Sequence, residues 1–481
     1  MNITLSSFGG IVPRTSSHSL TVTHATVAHD VRLRNGRLEP WKERCTFTKV
    51  GSGMRSFHLH GCSVIAWDTV VQVAEVMPDW GRTYITGHAD YPEVVTFSCE
   101  GEPTYYRLGV PAPLTPPHAS GVETCTRASD ARSYVYTYVN QWGEESAPSP
   151  PSNIITVADS APVTLTNIAI PPSGYNIIGT NIYRCVTGFR PPDVKQQSPL
   201  TDYMYLVTIS PLSTSFEDYL ALKAVGPVLE TQKVHMPPDG LQNIVSIDGI
   251  VRLAGTMANR VYLTENFQLH NWPVKYQLTL DSNIVHMRAL DRKLYVTTQT
   301  TPYLIDVSSC EDIKCIPVTD LGIPLPDISC NYAHAALMTQ HGLIYSSPIG
   351  LILIGPDAKY YVITKKWFSP EDWSKVMPDT VRLGYYQGFL FCITDRVSFI
   401  LNIDGVTYGD MAEAELVTIS DRPVDMLRSG TGLLYMLENE AVDVWDDGVE
   451  YRPFTWESRE LTGHGDTAGR KIRDADAPVG T

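Results

Sequence analysis

Between about Leu241 and Trp456 one short pattern recurs, and it limits the possible folds more than any other feature of the chain. A few apolar residues lead into a polar or Gly turn, then an aliphatic-aromatic run, a second turn and another apolar run. Arg260-Val261-Tyr262-Leu263-Thr264, Lys293-Leu294-Tyr295-Val296-Thr297, Gly342-Leu343-Ile344-Tyr345-Ser346, Phe389-Leu390-Phe391-Cys392-Ile393 and Leu433-Leu434-Tyr435-Met436-Leu437 are copies of the central run. Partner runs follow the later copies, as in Tyr303–Val307, Leu351–Ile354, Phe399–Ile403 and Val442–Trp445. Tyr262 to Tyr295 is 33 residues, and the later steps are longer. Short β-branched and aromatic runs between turn signals are sheet chemistry, because such side chains pack on a half-buried pleated surface. A small antiparallel sheet repeated every roughly 35–50 residues predicts a β-propeller, since one blade cannot cover both of its own faces. The competing arrangement is a pair of β-sandwiches without circular closure.

The rest of the chain divides around that repeat. Residues 1–54 read as an extended segment with a hairpin: Ala25, Val27, Val31, Leu33 and Leu38 alternate with polar residues, broken at Asn35-Gly36, a strong hairpin turn. Residues 55–112 read as a first blade, with strands at Gly61–Asp68, Val70–Ala74, Arg82–Gly87 and Pro92–Phe97. About five more blades then occupy 239–460, for about six in all. Residues 113–238 interrupt the ring behind the proline-rich exit Leu108-Gly109-Val110-Pro111-Ala112-Pro113. Their alternating Ser133–Val139, the turn Gly143-Glu144-Glu145-Ser146-Ala147-Pro148-Ser149 and later short strands predict an immunoglobulin-like sandwich, and the turn with Ile182-Tyr183-Arg184 is similar to fibronectin type III domains. Residues 461–481 have no apolar period and read as a flexible tail. The fold class expected is therefore all-β: a β-propeller with an inserted β-sandwich.

Composition narrows the function. The formal net charge of −15 opposes tight wrapping of nucleic acid, which needs Lys and Arg to displace counterions. The absence of a run of about 20 apolar residues argues against a membrane-spanning helix, and the first residues lack the pattern of a signal peptide, so folding in a cytoplasm is expected. Nine scattered cysteines, mostly in apolar strands, read as reduced small hydrophobes.

A search for chemistry yields little. His58, His60 and Cys62 share one strand face but lack a fourth ligand, and Cys310, Cys315 and Cys330 lack the paired short spacings of a zinc site. No metal or cofactor is expected. Phosphate-loop, nucleophile-elbow and zinc-protease patterns are absent. Glu371-Asp372 and Asp446-Asp447 are neighbours in sequence, which in a strand sends them to opposite faces; Asp446-Asp447-Gly448 reads as a turn. Trp367 and Trp373 read as packing residues rather than ligand platforms. The chain is not expected to be an enzyme, and no catalytic, cofactor or metal residue is assigned.

Phe8-Gly9-Gly10-Ile11-Val12-Pro13-Arg14, then Ala25, Ala28 and Leu33-x-Asn35-Gly36-x-Leu38-x-Pro40, continue into Arg107–Pro113, Tyr134–Pro151 and Trp456-Glu457-Ser458. In this order they resemble the tail nozzle, or tail tubular, proteins of short-tailed bacteriophages. The resemblance implies a structural virion protein, assembled in the host cytoplasm, that forms a six-fold ring below the portal and adaptor. Double-stranded DNA would pass through the ring without specific binding, so a lumen without a continuous basic stripe is expected. It further implies partners in the adaptor ring and in tail fibres or spikes, and no insertion into a membrane. The chain is compact for that family. A different class, a non-viral propeller that scaffolds protein partners, is the alternative, followed by a carbohydrate-active propeller.

Overall fold

The computed structural model describes residues 5, 7–61, 63–77, 81–98, 101–124, 129–158, 161–188, 202–220, 226–247, 249–309, 313–318, 336–403 and 414–459. Among them the regular structure is nearly all strand, with one short α-helix at Pro370–Ser374 and a few 3-10 turns. Among the described residues no helix is long and apolar enough to cross a membrane, which says nothing of a β-barrel.

Six antiparallel sheets form a ring. In order these are Gln72–Arg107, Gln242–Thr279, Ile284–Pro317, Ala336–Val362, Arg382–Thr418 and Asp425–Val444, here called the first to sixth blades. Each has a four-stranded meander, and the sixth takes its outermost strand, Cys45–Lys49, from the N-terminal region. A two-stranded hairpin, Ser56–His60 with Ser63–Trp67, sits between the sixth blade and the first. Phe57 packs on Tyr435, Leu437, Val442 and Val444 on one side. Ile65 and Trp67 pack on Val71, Ile85 and Val95 on the other. The hairpin thus closes the circle as a seventh, reduced blade. The innermost strands meet in sequence around the axis.

Stacked blades explain why the central runs are apolar throughout. Side chains alternate between the faces of a strand, and here both faces are covered. In Phe389–Ile393, Leu390 and Cys392 enter the core shared with the fourth blade, while Phe389, Phe391 and Ile393 enter the core shared with the sixth. Every residue of that strand is buried. Trp367 and Trp373 belong to the fourth-to-fifth core, and the Trp373 indole donates to the Ser347 carbonyl at 2.7 Å.

Two expectations need correction. The run Ser63–Trp67 does not pair with Gln72–Ala74; it pairs back on Ser56–His60, and the first blade gains Pro103–Arg107 as its outer strand. The switch is made by Ser56, whose hydroxyl donates to the Thr69 carbonyl at 2.7 Å and accepts from the Val71 amide at 3.0 Å. Also, Arg260–Leu263 is the third strand of its blade, whereas the other recurring runs are second strands. The equivalent second strands begin at Leu253, Lys293, Gly342, Phe389 and Leu434, so the repeat is more even than the tyrosine spacing implied.

The N-terminal region ties the ring. Asn35 and Gly36, with φ of 51° and 73°, make the two-residue turn between Val31–Arg34 and Arg37–Pro40; a left-handed pair suits the hairpin twist. Ala25–His29 adds to the outer edge of the fifth blade beside Glu415–Thr418, and Thr455–Ser458 pairs on its other side, giving a six-stranded sheet. Gly10 lies against this edge so closely that a Cβ would stand 2.3 Å from the Leu416 carbonyl oxygen. Trp41 and Trp445 fill the core between the fifth and sixth blades, with centroids 5.5 Å apart.

The insert is a two-sheet sandwich. His118–Gly121, Val163–Thr166 and Phe216–Asp218 form one sheet; Ile155–Ala158, Ser129–Asn140, Ile177–Gly188 and Met204–Ile209 form the other. Its core gathers Tyr134, Tyr136, Tyr138, Val157, Leu165 and Ile182, among others. At its centre the Asp218 carboxylate accepts from Arg184 Nη1 at 2.7 Å and from the Tyr134 hydroxyl at 2.9 Å, with Asp218 and Arg184 fully buried. The proline-rich Ser146–Ser152 segment lines the strand edge although its prolines have no N–H. The amides of Ser146, Ser149 and Ser152 donate to the carbonyls of Tyr138, Tyr136 and Tyr134, and their hydroxyls accept the amides of the same tyrosines. The serine at every third position is thus a substitute for strand pairing.

Candidate functional site

A cleft of about 1210 Å³ lies where the sandwich meets the first and second blades. Three stretches wall it. The sandwich turn Trp142–Glu145 forms one side, the returning segment Glu230–His235 another, and the excursion Glu265–Lys275 of the second blade the third; Arg82 reaches in from the first blade. The returning segment is stitched to the excursion: the His235 amide donates to Asn271 Oδ1 at 3.1 Å, and the Trp272 amide to the His235 carbonyl at 2.8 Å.

Charged groups line the cleft mostly in pairs. Arg82 Nη1 donates to Glu144 Oε1 at 2.6 Å while its guanidinium lies 5.2 Å from the Trp142 ring centre. Glu144 Oε2 accepts from Asn140 Nδ2 at 2.8 Å. Burial works to raise the Glu265 carboxyl, but bonds from Lys275 Nζ at 2.8 Å and the Tyr276 hydroxyl at 3.1 Å outweigh it, so its pKa is lowered. Burial pushes the Tyr84 phenol up, next to Arg82. His270 is 7% exposed, and the desolvation of its ring outweighs the attraction of Glu144, holding its pKa below the usual histidine value. Its Nδ1 lies 3.9 Å from Glu144 Oε1 and has no hydrogen-bond partner among the described residues.

Glu144 and Glu145 do not form a hydrolytic pair. Glu145, next to Glu144 in sequence, turns into the sandwich and accepts from Thr137 Oγ1, Asn181 Nδ2 at 2.9 Å and the Tyr183 hydroxyl at 2.7 Å. Two carboxylates flanking a glycosidic bond must face a common space, and these two diverge.

The residues weighed from sequence lie elsewhere. His58 and His60 do share a face, but it is turned to the first blade: His58 Nε2 bonds Glu75 at 3.0 Å, and His60 stacks on Phe97 at 3.7 Å. Cys315 is in the outer strand of the third blade, whereas Cys62, Cys310 and Cys330 lie outside the described residues, as does the 461–481 tail. Among the described residues no group of three or more His, Cys, Asp or Glu is placed to hold a metal ion. Glu371 and Asp372 occupy the first turn of the short helix rather than a strand, with the Asp372 amide capped by Ser369 at 3.1 Å. Asp446 is in a turn with φ of 58° and accepts the Lys42 amide at 2.8 Å. Arg82, Glu144 and His270 were not singled out from sequence. They come from three distant stretches, and only the length of chain between the runs at Arg260–Leu263 and Ile284–Leu290 gives a signal of an excursion there.

A second, smaller cavity of about 290 Å³ lies among the innermost strands, lined by residues such as Gln72, Arg288, Arg382 and Asp425.

No family model and no curated protein matches this chain. Solved structures do match in part. Hsv2 of Kluyvelomyces marxianus is 11% identical, over 59% of this chain and 68% of its own, with a TM-score of 0.29. PorZ, an essential surface component of the type-IX secretion system of Porphyromonas gingivalis, is 12% identical over 81% and 65%, with a TM-score of 0.30. The extracellular domain of the one-component system BT4673 of B. thetaiotaomicron is 10% identical over 68% and 40%, at 0.27. The chain thus spans about two thirds of the first two proteins and less than half of the third. Likenesses this partial carry no function across, and the fold rests on the strand pairings themselves.

Proposed function

We propose that this protein is a non-catalytic β-propeller scaffold that works through its surfaces, with the sandwich as its assembly module. In its specific form we read it as a ring-forming tail nozzle subunit of a short-tailed bacteriophage. The observation that carries the specific form is where the resembling residues meet. Ala25, Ala28, Leu33, Leu38, Phe8, Ile11 and Trp456 share one packed cluster, in which Phe8 and Trp456 meet edge to face at 4.9 Å and the Trp456 indole donates to the Gly9 carbonyl at 3.0 Å. Residues that resemble one family at both ends of the chain therefore serve one framework, as expected where the shared property is a shape rather than a reaction. In this reading the conduit runs through the middle of a ring of subunits, with each propeller as wall.

Both the nozzle and the non-viral scaffold readings share the propeller that presents protein-binding surfaces; ring formation separates them. Native mass spectrometry and electron microscopy of the purified chain, alone and with portal and adaptor rings, test this. Six copies around an open lumen, without a continuous basic stripe, support the nozzle. A monomer that stays off such rings overturns it in favour of the hub-like scaffold. Deleting 120–224 is expected to leave a soluble propeller that no longer joins particles; assembly that survives the deletion would remove the sandwich from that role.

A further inference from the structure

The cleft at the sandwich joint has a property that its structural role does not explain. His270 Nδ1 and Glu144 Oε1 face each other across 3.9 Å, beyond hydrogen-bond distance. The ring of His270 interacts with the backbone of Glu145, and Nδ1 has no hydrogen-bond partner among the described residues. An interaction that uses the ring proton on the Glu145 carbonyl leaves Nδ1 as an acceptor. His270 Nδ1, on a side chain 9% exposed, then lacks a donor among the described residues, beside a Glu144 Oε1 that takes one donor from Arg82 Nη1 at 2.6 Å and, as a carboxylate oxygen, can accept a second. Buried acceptors in native proteins are almost always satisfied, so the arrangement calls for a donor from outside the chain.

We propose that this cleft is a carbohydrate-binding site for a neutral, hydroxyl-rich saccharide, held by hydroxyls that donate to His270 Nδ1 and Glu144 Oε1. Neighbouring hydroxyls on one sugar ring present two O–H donors side by side, one for each acceptor. Charge selects against the other donor classes. An ammonium ligand would meet Arg82, Lys233 and Lys275, and an anion would meet Glu144, Glu230 and Glu265, all on the cleft wall. A neutral ligand meets neither repulsion. The walls also offer aromatic faces for the apolar side of a sugar ring: Trp142 is partly exposed, and Phe267 is 65% exposed. A volume of about 1210 Å³ has room for more than one sugar unit. Glu145 is turned away and saturated, so it does not join Glu144 as a second carboxylate on the bound saccharide.

The test titrates the full chain with three neutral probes, maltotriose, cellotriose and triacetylchitotriose, and with one anionic probe, a hyaluronan tetrasaccharide. Calorimetry and saturation-transfer NMR provide the readouts. At least one neutral probe should bind at millimolar concentration or better, with transfer to ring C–H protons. Phe267→Ser alters an exposed side chain and should leave the melting temperature unchanged while weakening binding about tenfold through the lost stacking face. His270→Leu removes the acceptor and should weaken it at least as much; if that variant melts early, Phe267→Ser still decides. Failure of all three neutral probes, binding undiminished by Phe267→Ser, or tighter binding of the anionic probe would each overturn the proposal. None of these outcomes depends on ring assembly, so the scaffold reading is judged separately.

Discussion

The seam where the N-terminal region joins the fifth and sixth blades and the joint that carries the sandwich both unite residues far apart in sequence, yet they fill the space between differently. At the seam Trp41, Trp445, Phe389 and Phe391 pack within 5.0 to 5.5 Å of one another. Arg452 lies over the Trp445 ring at 4.3 Å and pairs with Asp421, while Arg44 pairs with Glu438 at 2.5 Å and Asp421 at 3.1 Å. At the joint a cleft remains, crossed by the Arg82–Glu144 bond, with His270 facing Glu144 but not bonded to it. Buried aromatic area is costly to expose and tolerates no slack. A few polar bonds around solvent hold a position that can adjust. The seam is thus suited to permanence and the joint to reorientation or to a ligand.

The largest expected effect tests the seam. Trp445 is fully buried, so Trp445→Ala should cost about 3–5 kcal/mol in urea unfolding. A loss under about 1 kcal/mol would mean that the seam relaxes as readily as a surface and would erase the contrast. Gly10→Val comes next. Its side chain must displace the Leu416 backbone, against which even a Cβ stands 2.3 Å from the carbonyl oxygen. Overpacking of this kind costs about 1–3 kcal/mol, and it should free Ala25–His29 to hydrogen exchange before any blade core.

Arg82→Ala should act on the joint. Losing the 2.6 Å bond to Glu144 removes a charge-assisted interaction of about 1–2 kcal/mol after solvent has partly replaced it. The expected signature is local: faster amide exchange at Trp142–Glu145 with unchanged protection in Phe389–Ile393. Equal loosening of both regions would show that joint and ring unfold as one unit.

The same contrast explains what the sequence could reveal. Ring strands are legible because every second residue must enter one of two dry cores, which leaves the apolar runs around Leu294, Leu343 and Leu390. Asn35-Gly36 is legible because a left-handed pair of residues restricts chemistry locally. The hairpin blade was hidden because Ser63–Trp67 is equally apolar whichever neighbour it pairs with; one hydroxyl, that of Ser56, redirects the chain. The joint was illegible because Arg82, Glu144 and His270 are ordinary surface-type residues in their own stretches and meet only after the insert folds back. Long-range polar meetings leave no period to read.

The smallest expected effect separates burial from charge at the joint. Three groups face the His270 ring: Glu144 and Glu145 from the sandwich and Arg82 from the first blade. Burial dominates and holds the folded pKa below the unfolded value of 6.5. The sign follows: above pH 6.5 the ring is neutral in both states and stability is complete, whereas below it the unfolded chain takes up the proton more readily and stability falls as pH drops toward the folded pKa. Amide protection at Trp142–Glu145 should therefore decrease from neutral to mildly acidic pH, and His270→Gln should remove that part of the slope. If protection instead rises as pH falls, protonated His270 is drawing Glu144 across the 3.9 Å gap. The Coulombic attraction would then outweigh desolvation, and the joint would tighten in acid rather than loosen.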